Sequence, residues 1–123
     1  MKIRISGNSI RYRLNKLDME LLENTQNILS TTHIGGGALH FCLKGNDIYD
    51  PKIVLDNNNV HLFVPLSLLT PWFKSDQVGF KLVLPNYDGS ELTILVEKDF
   101  KCLTERSEDE SQSFDNPMAG QNC

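Results

Sequence analysis

The chain opens on two runs in which apolar and polar residues alternate: Ile3 and Ile5 with Lys2 and Arg4, then Ile10, Tyr12 and Leu14 with Ser9, Arg11 and Arg13. A period of two belongs to a half-buried strand. Ser6-Gly7-Asn8-Ser9 between the runs supplies a turn, so the stretch predicts a hairpin with one apolar and one basic face. Asn15 is placed to cap a helix that carries Asp18 and Glu20 in its first turn, where the dipole favours acids, has Leu17, Leu21 and Leu22 on its apolar side, and ends near Asn24. "NILSTTHI" and "ALHFCL" then flank "GGG", a second hairpin. After the polar break "KGNDIYDP" the same order restarts. "KIVLD" and "VHLFV" flank "NNN", a helical segment "PLSLLTPWF" follows, and "VGFKLVL" and "ELTILV" flank "PNYDGS". Pro65 suits a first helical position, and Pro71 is expected to break the segment or restart it at Trp72.

Strand, strand, helix, strand, strand thus occurs twice, over residues 1–46 and 51–98, and the side chains match. A shift of fifty positions lays Ile3 on Ile53, Ile5 on Leu55, Ile10 on Val60, Tyr12 on Leu62, Leu14 on Val64, Ile28 on Val78 and Ile34 on Leu84. In the last strands a shift of fifty-three lays Leu39 on Leu92, Phe41 on Ile94 and Leu43 on Val96. The pattern predicts an internal duplication. Four short strands and one helix bury little alone, so the halves are expected to share a core. The expected fold is α+β and mainly β: a tandem ββαββ repeat of about eight strands and two short helices, forming one barrel-like pseudo-dimer within a single domain over residues 1–100.

Composition narrows the setting. At 123 residues and 40% hydrophobic, the chain has room for one modest core. No apolar run reaches signal-peptide or membrane-spanning length, so a soluble, cytoplasmic protein that avoids the membrane is expected. Cys42, Cys102 and Cys123 are odd in number and widely spaced, which predicts reduced thiols rather than a disulfide framework. The net charge of −4 conceals an asymmetry: residues 1–16 carry five bases and no acid, whereas residues 104–123 form an acidic stretch poor in apolar residues, expected to be a flexible tail.

"VHLFVPLSLLTPWFKSDQVGFKLVLPNYDGSELTILV" resembles the swapped-hairpin module of bacterial transition-state regulators and MazE-type antitoxins (AbrB-like). There a strand ending in proline leads into a short helix, an Asp-x-Val strand and a final hairpin, which correspond here to Val64, Pro65, the leucines through Leu69, and Asp76 with Val78. "SGNSIRYRL" is similar to the antitoxin's Gly-Asn-Ser turn and following strand, with Asn15 where that family usually has proline. The resemblance covers roughly residues 1–98 and implies hairpin exchange, so that two copies in one chain make a pseudo-dimer, monomeric or homodimeric. "MKIRISGNSIRYRL" and "VEKDFKCL" with the acidic end also resemble a set of small bacterial proteins of unknown function.

Candidate chemistry is sparse. A hairpin brings Lys2 and Arg4 onto one surface with Arg11 and Arg13, and four adjacent bases are stabilised by an anion. In the regulators this strand and turn carry arginines to DNA. The resemblance, with the charge pattern, nominates Lys2, Arg4, Asn8, Arg11, Arg13 and Lys16 for nucleic-acid binding. The alternative is a protein-interaction module without nucleic-acid binding, in which the tail wraps a partner through Asp109, Glu110, Phe114 and Asp115, as acidic antitoxin tails do. "GGG" lacks the Lys-Ser/Thr of a phosphate loop, and no nucleophile elbow or His-Glu helix pair occurs, so no catalytic residue is expected and the chain is read as non-enzymatic. His40 and Cys42 share a strand face but lack a C-x-x-C partner, and neither a metal nor a cofactor is expected. His33, His61, Glu97 and Asp99 remain as a set that any small domain contains.

Overall fold

The computed structural model describes residues 1–101 and 114–115. The elements alternate as predicted: β1 (Lys2–Ser6), β2 (Ser9–Leu14), α1 (Lys16–Thr25), β3 (Asn27–Ile34), β4 (Gly37–Asn46), β5 (Lys52–Asp56), β6 (Asn59–Pro65), α2 (Leu66–Phe73), β7 (Gly79–Pro85) and β8 (Glu91–Lys98). Consecutive strands pair antiparallel as four hairpins. The turn of the first hairpin takes positive φ at Gly7 (54°), and the turn of the third does so at Asn57 (53°), fifty positions on. Both residue types tolerate the left-handed region.

The hairpins are exchanged between the halves. One sheet has the order β1-β2-β8-β7 and the other β3-β4-β6-β5, so each takes one hairpin from each half. The joins are parallel, β2 on β8 and β4 on β6. Their registers obey one pseudo-two-fold relation. Tyr12 lies opposite Val96, while Leu62, fifty on from Tyr12, lies opposite Leu43, fifty-three back from Val96. The duplication is therefore written into the pairing as well as the sequence. The third strands need a different shift, because Phe80 opposite Val96 corresponds to Ile28 opposite Leu43, an offset of fifty-two. Matching Ile28 to Val78 and Ile34 to Leu84 is corrected accordingly, and Val78 lies outside β7, 52% exposed. The sheets do not close into a barrel. Each hairpin uses one edge for the parallel join, and among the described residues β1, β7, β3 and β5 keep a single neighbour each.

One core lies between the sheets. Tyr12, Leu14, Ile94 and Val96 enter it from the first sheet, Phe41, Leu43, Leu62 and Val64 from the second, and Leu22, Leu69 and Trp72 from the helices. Full burial of an aliphatic or aromatic side chain contributes roughly 1.5–3 kcal/mol, so neither half retains its stability without the other. Among the described residues, no helix is long and apolar enough to cross a membrane.

The helices depart from expectation in two ways. Asn15 caps α1 in a capping box with Asp18, which also holds the amino group of Met1 at 3.0 Å. These contacts fix the roll of the helix so that Leu22 is buried and Met19 packs on the core, leaving Leu17 and Leu21 exposed. Pro65 ends β6 and acts as the cap of α2 instead of its first residue, and Pro71 lies inside an unbroken helix. Packing overrides the breaker: Trp72 is wholly buried, donates Nε1–H to the carbonyl of Val78 at 3.2 Å, and meets Phe80 edge to face at 5.5 Å.

Candidate functional site

Tyr12, Leu14, Leu82, Ile94 and Val96 of the first sheet face the core, so alternation sends their neighbours, Leu95 and Val83 among them, outward. Residues directly opposite one another share a face, and the register therefore builds a continuous outer surface. Lys2 lies opposite Arg13, which neighbours Glu97 on β8, and Arg4 lies opposite Arg11, which neighbours Leu95. Lys81 on β7 lies opposite Leu95 and completes the second row. The four bases of the first hairpin are brought together as the sequence implied, and Lys81 joins them.

Carboxylates of the other half meet this surface. Arg11 Nε donates to Glu97 Oε1 at 2.6 Å, and one Asp99 carboxylate takes Arg13 at 2.8 Å and Lys2 at 2.9 Å. Asp99 is placed by its own amide, which donates to the carbonyl of Leu14 at the end of β2. The hydrogen bond from Lys2, with the nearby Arg13 charge, holds the Asp99 carboxyl below the usual aspartate range. Among the described residues the surface thus carries five cations, Lys2, Arg4, Arg11, Arg13 and Lys81, against three carboxylates, Glu97, Asp99 and, at the far end of β8, Glu91, on a chain whose net charge is −4.

Two of the nominated residues lie elsewhere. Asn8, at the turn, donates to Ser90 Oγ at 3.2 Å and accepts the amide of Thr93, which ties the first hairpin to the turn between β7 and β8. Lys16, at the start of α1, lines a groove of about 410 Å³ with Glu20, Glu23, Lys98, Asp99 and Phe100. Of the tail, Phe114 and Asp115 are exposed, while Asp109 and Glu110 lie outside the described residues, as do Cys102 and Cys123.

His33, His40 and His61 all point outward from the second sheet, where Cys42 lies opposite His61 and Thr31 Oγ1 meets His40 Nδ1 at 2.9 Å. Glu97 belongs to the first sheet and Asp99 follows directly after its strand β8, so the set of His33, His61, Glu97 and Asp99 is not brought together. Among the described residues no group of three or more His, Cys, Asp or Glu side chains is disposed to hold a metal ion. Sequence reasoning missed Lys81 and the structural role of Glu97 and Asp99. Alternation along β7 already set Lys81 opposite in facing to Phe80 and Leu82, but only the parallel join of β2 to β8 places it and the two acids beside the hairpin.

Fold and surface together define a mainly β protein of two hairpin-exchanged sheets, one with a charged outer face. The chain belongs to DUF7009, a family of unknown function whose model matches residues 1–118. No curated protein and no solved structure matches it significantly.

Proposed function

We propose that this is a non-enzymatic binding module that takes nucleic acid on the outer face of its first sheet, contacting phosphates with Arg4, Arg11, Arg13, Lys2 and Lys81. One observation carries the reading: an acidic chain gathers five cations on one sheet face, where three carboxylates, Glu91, Glu97 and Asp99, leave it net positive. Phosphate contacts need charge and spacing more than a shaped pocket. The ion pairs to Glu97 and Asp99 hold Arg11 and Arg13 in place along β2. The reading extends the likeness to swapped-hairpin regulators into a proposal: a bacterial, cytoplasmic regulatory protein whose residues 1–100 form the binding domain and whose residues 104–123 form an appended acidic tail. Capture of a protein partner by that tail is the second reading, favoured by Phe114, which lies fully exposed beside Asp115.

The test is fluorescence anisotropy of the full chain with a random-sequence duplex at low and moderate salt. Arg11 and Arg13 are poor probes, because each also ties β2 to an acid of the other half. The double variant Arg4→Glu/Lys81→Glu reads the two edge strands of the face, β1 and β7, with Trp72 fluorescence confirming that it is folded. Binding by the wild-type chain is expected to weaken steeply with salt, and the variant to lose tenfold or more in affinity while its salt slope falls by roughly two phosphate contacts. Absence of binding at low salt, or an unchanged affinity in the variant, refutes the nucleic-acid reading and leaves the tail as the interacting segment.

A further inference from the structure

Open sheet edges present unpaired backbone donors and acceptors, and proteins blunt them with charge, proline or shortness. Three of the four edges here are blunted. β1 carries Lys2 and Arg4; β7 carries Lys81 and ends at Pro85; β5 is five residues long, bears Lys52 and Asp56, and follows Pro51. The fourth edge, β3, is eight residues long, "NILSTTHI", with neither a formal charge nor a proline. Four of its eight residues, Ile28, Thr31, Thr32 and Ile34, are β-branched, and the apolar Leu29 and Ile34 are 57% and 60% exposed. The strand is also held in place as a template. Ser30 Oγ donates to the carbonyl of Met1, and Thr31 bonds to His40 on β4.

We infer that β3 is a self-association edge, where a second copy of this chain pairs antiparallel about a two-fold axis through Thr31, joining the two second sheets into one of eight strands. The occupant follows from the strand's own pattern. Antiparallel pairing about Thr31 sets Ile28 against the partner's Ile34, Leu29 against the partner's His33, Ser30 against the partner's Thr32, and Thr31 against its own copy. No two residues of like charge meet, apolar Ile34 gains an apolar neighbour, and core-facing residues meet core-facing residues because every pair has the same parity. A charged foreign strand gains no ion pair on this edge, whereas a copy matches it position by position.

The experiment is sedimentation velocity of the full chain over a concentration series, with Thr31→Lys and Thr31→Glu measured separately and as an equimolar mixture. Buried Trp72 reports by its fluorescence that each variant is folded. The wild-type chain is expected to sediment as two chains. Each variant alone should show a dimer dissociation constant at least tenfold higher, since like charges then face each other across the axis, and the mixture should recover the dimer. Ile34→Lys, at the exposed end of the strand, should also weaken the dimer and serves if Thr31→Lys does not fold. A monomer at every concentration overturns the inference, even if that monomer recruits an extended peptide of another protein. So does a dimer indifferent to all three variants, or a mixture that stays monomeric.

Discussion

Tyr12 is wholly buried between the sheets, and its hydroxyl has no hydrogen-bond partner among the described residues. Burial has pushed its phenol well above the ordinary tyrosine range, with Cys42 adding to the shift. An unpaired buried hydroxyl costs about 1–3 kcal/mol in proteins. Tyr12→Phe removes that cost and forfeits the few dispersion contacts of one oxygen atom, each about 0.1–0.2 kcal/mol, so the loss stays below about 1 kcal/mol. The variant should therefore be more stable by about 1 kcal/mol, which for a domain of roughly 100 residues raises Tm by about 4–8 °C. Chemical denaturation followed by the fluorescence of the single Trp72 measures this directly, with an unchanged m-value as the condition for reading the midpoint as stability. An alkaline arm tests the same group. The folded state retains a proton that the unfolded chain releases near pH 10, so wild-type stability should fall as pH rises past about 10 and that fall should be shallower in the variant. A lower midpoint for Tyr12→Phe refutes the reasoning, because it means the hydroxyl is satisfied in solution.

Asp99 gives the acid-side counterpart. Its carboxyl is depressed in the folded state by Lys2 and Arg13, so its contribution is present above the ordinary aspartate value of about 3.9 and is lost as pH falls below it. Asp99→Asn should lower Tm at neutral pH and flatten the acid limb, and parallel acid limbs in a thermal-melt series would count against the ion pairs. Gly79→Ala should destabilise by about 1–3 kcal/mol, because the added Cβ would collide with the carbonyl oxygen of Val96 and the Cα of Glu97, both backbone atoms. A melt within 1 °C of wild type would show that β7 shifts freely against β8. Asn15→Ala removes the capping box of α1 and should cost about 1 kcal/mol, measured by chemical denaturation; an unchanged midpoint would assign the helix start to the Met1 amino group on Asp18 instead.

The element order was legible because period-two alternation and turn residues are local signals. Hairpin exchange was legible only through the resemblance and the duplication, since no local rule says which hairpin joins which. The misplacements share a cause. Leu17 and Leu21 fit an apolar helix side as well as Met19 and Leu22 do, and the contacts of Asp18 with Asn15 and Met1 decide which pair turns inward. Pro71 breaks helices by its local chemistry, but the burial of the adjacent Trp72 outweighs that cost. At the site, alternation sufficed to gather Lys2, Arg4, Arg11 and Arg13, whereas Glu97 and Asp99, more than eighty residues away in sequence, could not be read as their partners.

The pseudo-two-fold relation shows how the two faces diverged. Arg13 opposite Glu97 in the first sheet corresponds to Phe63 opposite Lys44 in the second, where the ammonium lies 5.9 Å from the ring centroid. A register position whose two charged members pair with other groups in one sheet, Arg13 with Asp99 and Glu97 with Arg11, is held by a cation–π contact in the other, and Arg4 and Arg11 are answered by Val54 and His61. Duplication followed by this divergence leaves one charged face per chain, where a symmetric ancestor of two identical halves would carry two. Pairing through β3 would restore the second. Its axis runs perpendicular to the second sheet and keeps both cores on the same side, so the two first sheets sit on that side with their charged faces turned the same way. Loss of the β3 pair should then weaken duplex binding through lost bivalency, with each Arg4 and Lys81 still in place. The Thr31→Lys and Thr31→Glu mixture separates the two effects: if bivalency is what the dimer supplies, duplex affinity returns with the dimer, and if the charged face acts alone, affinity is the same before and after mixing.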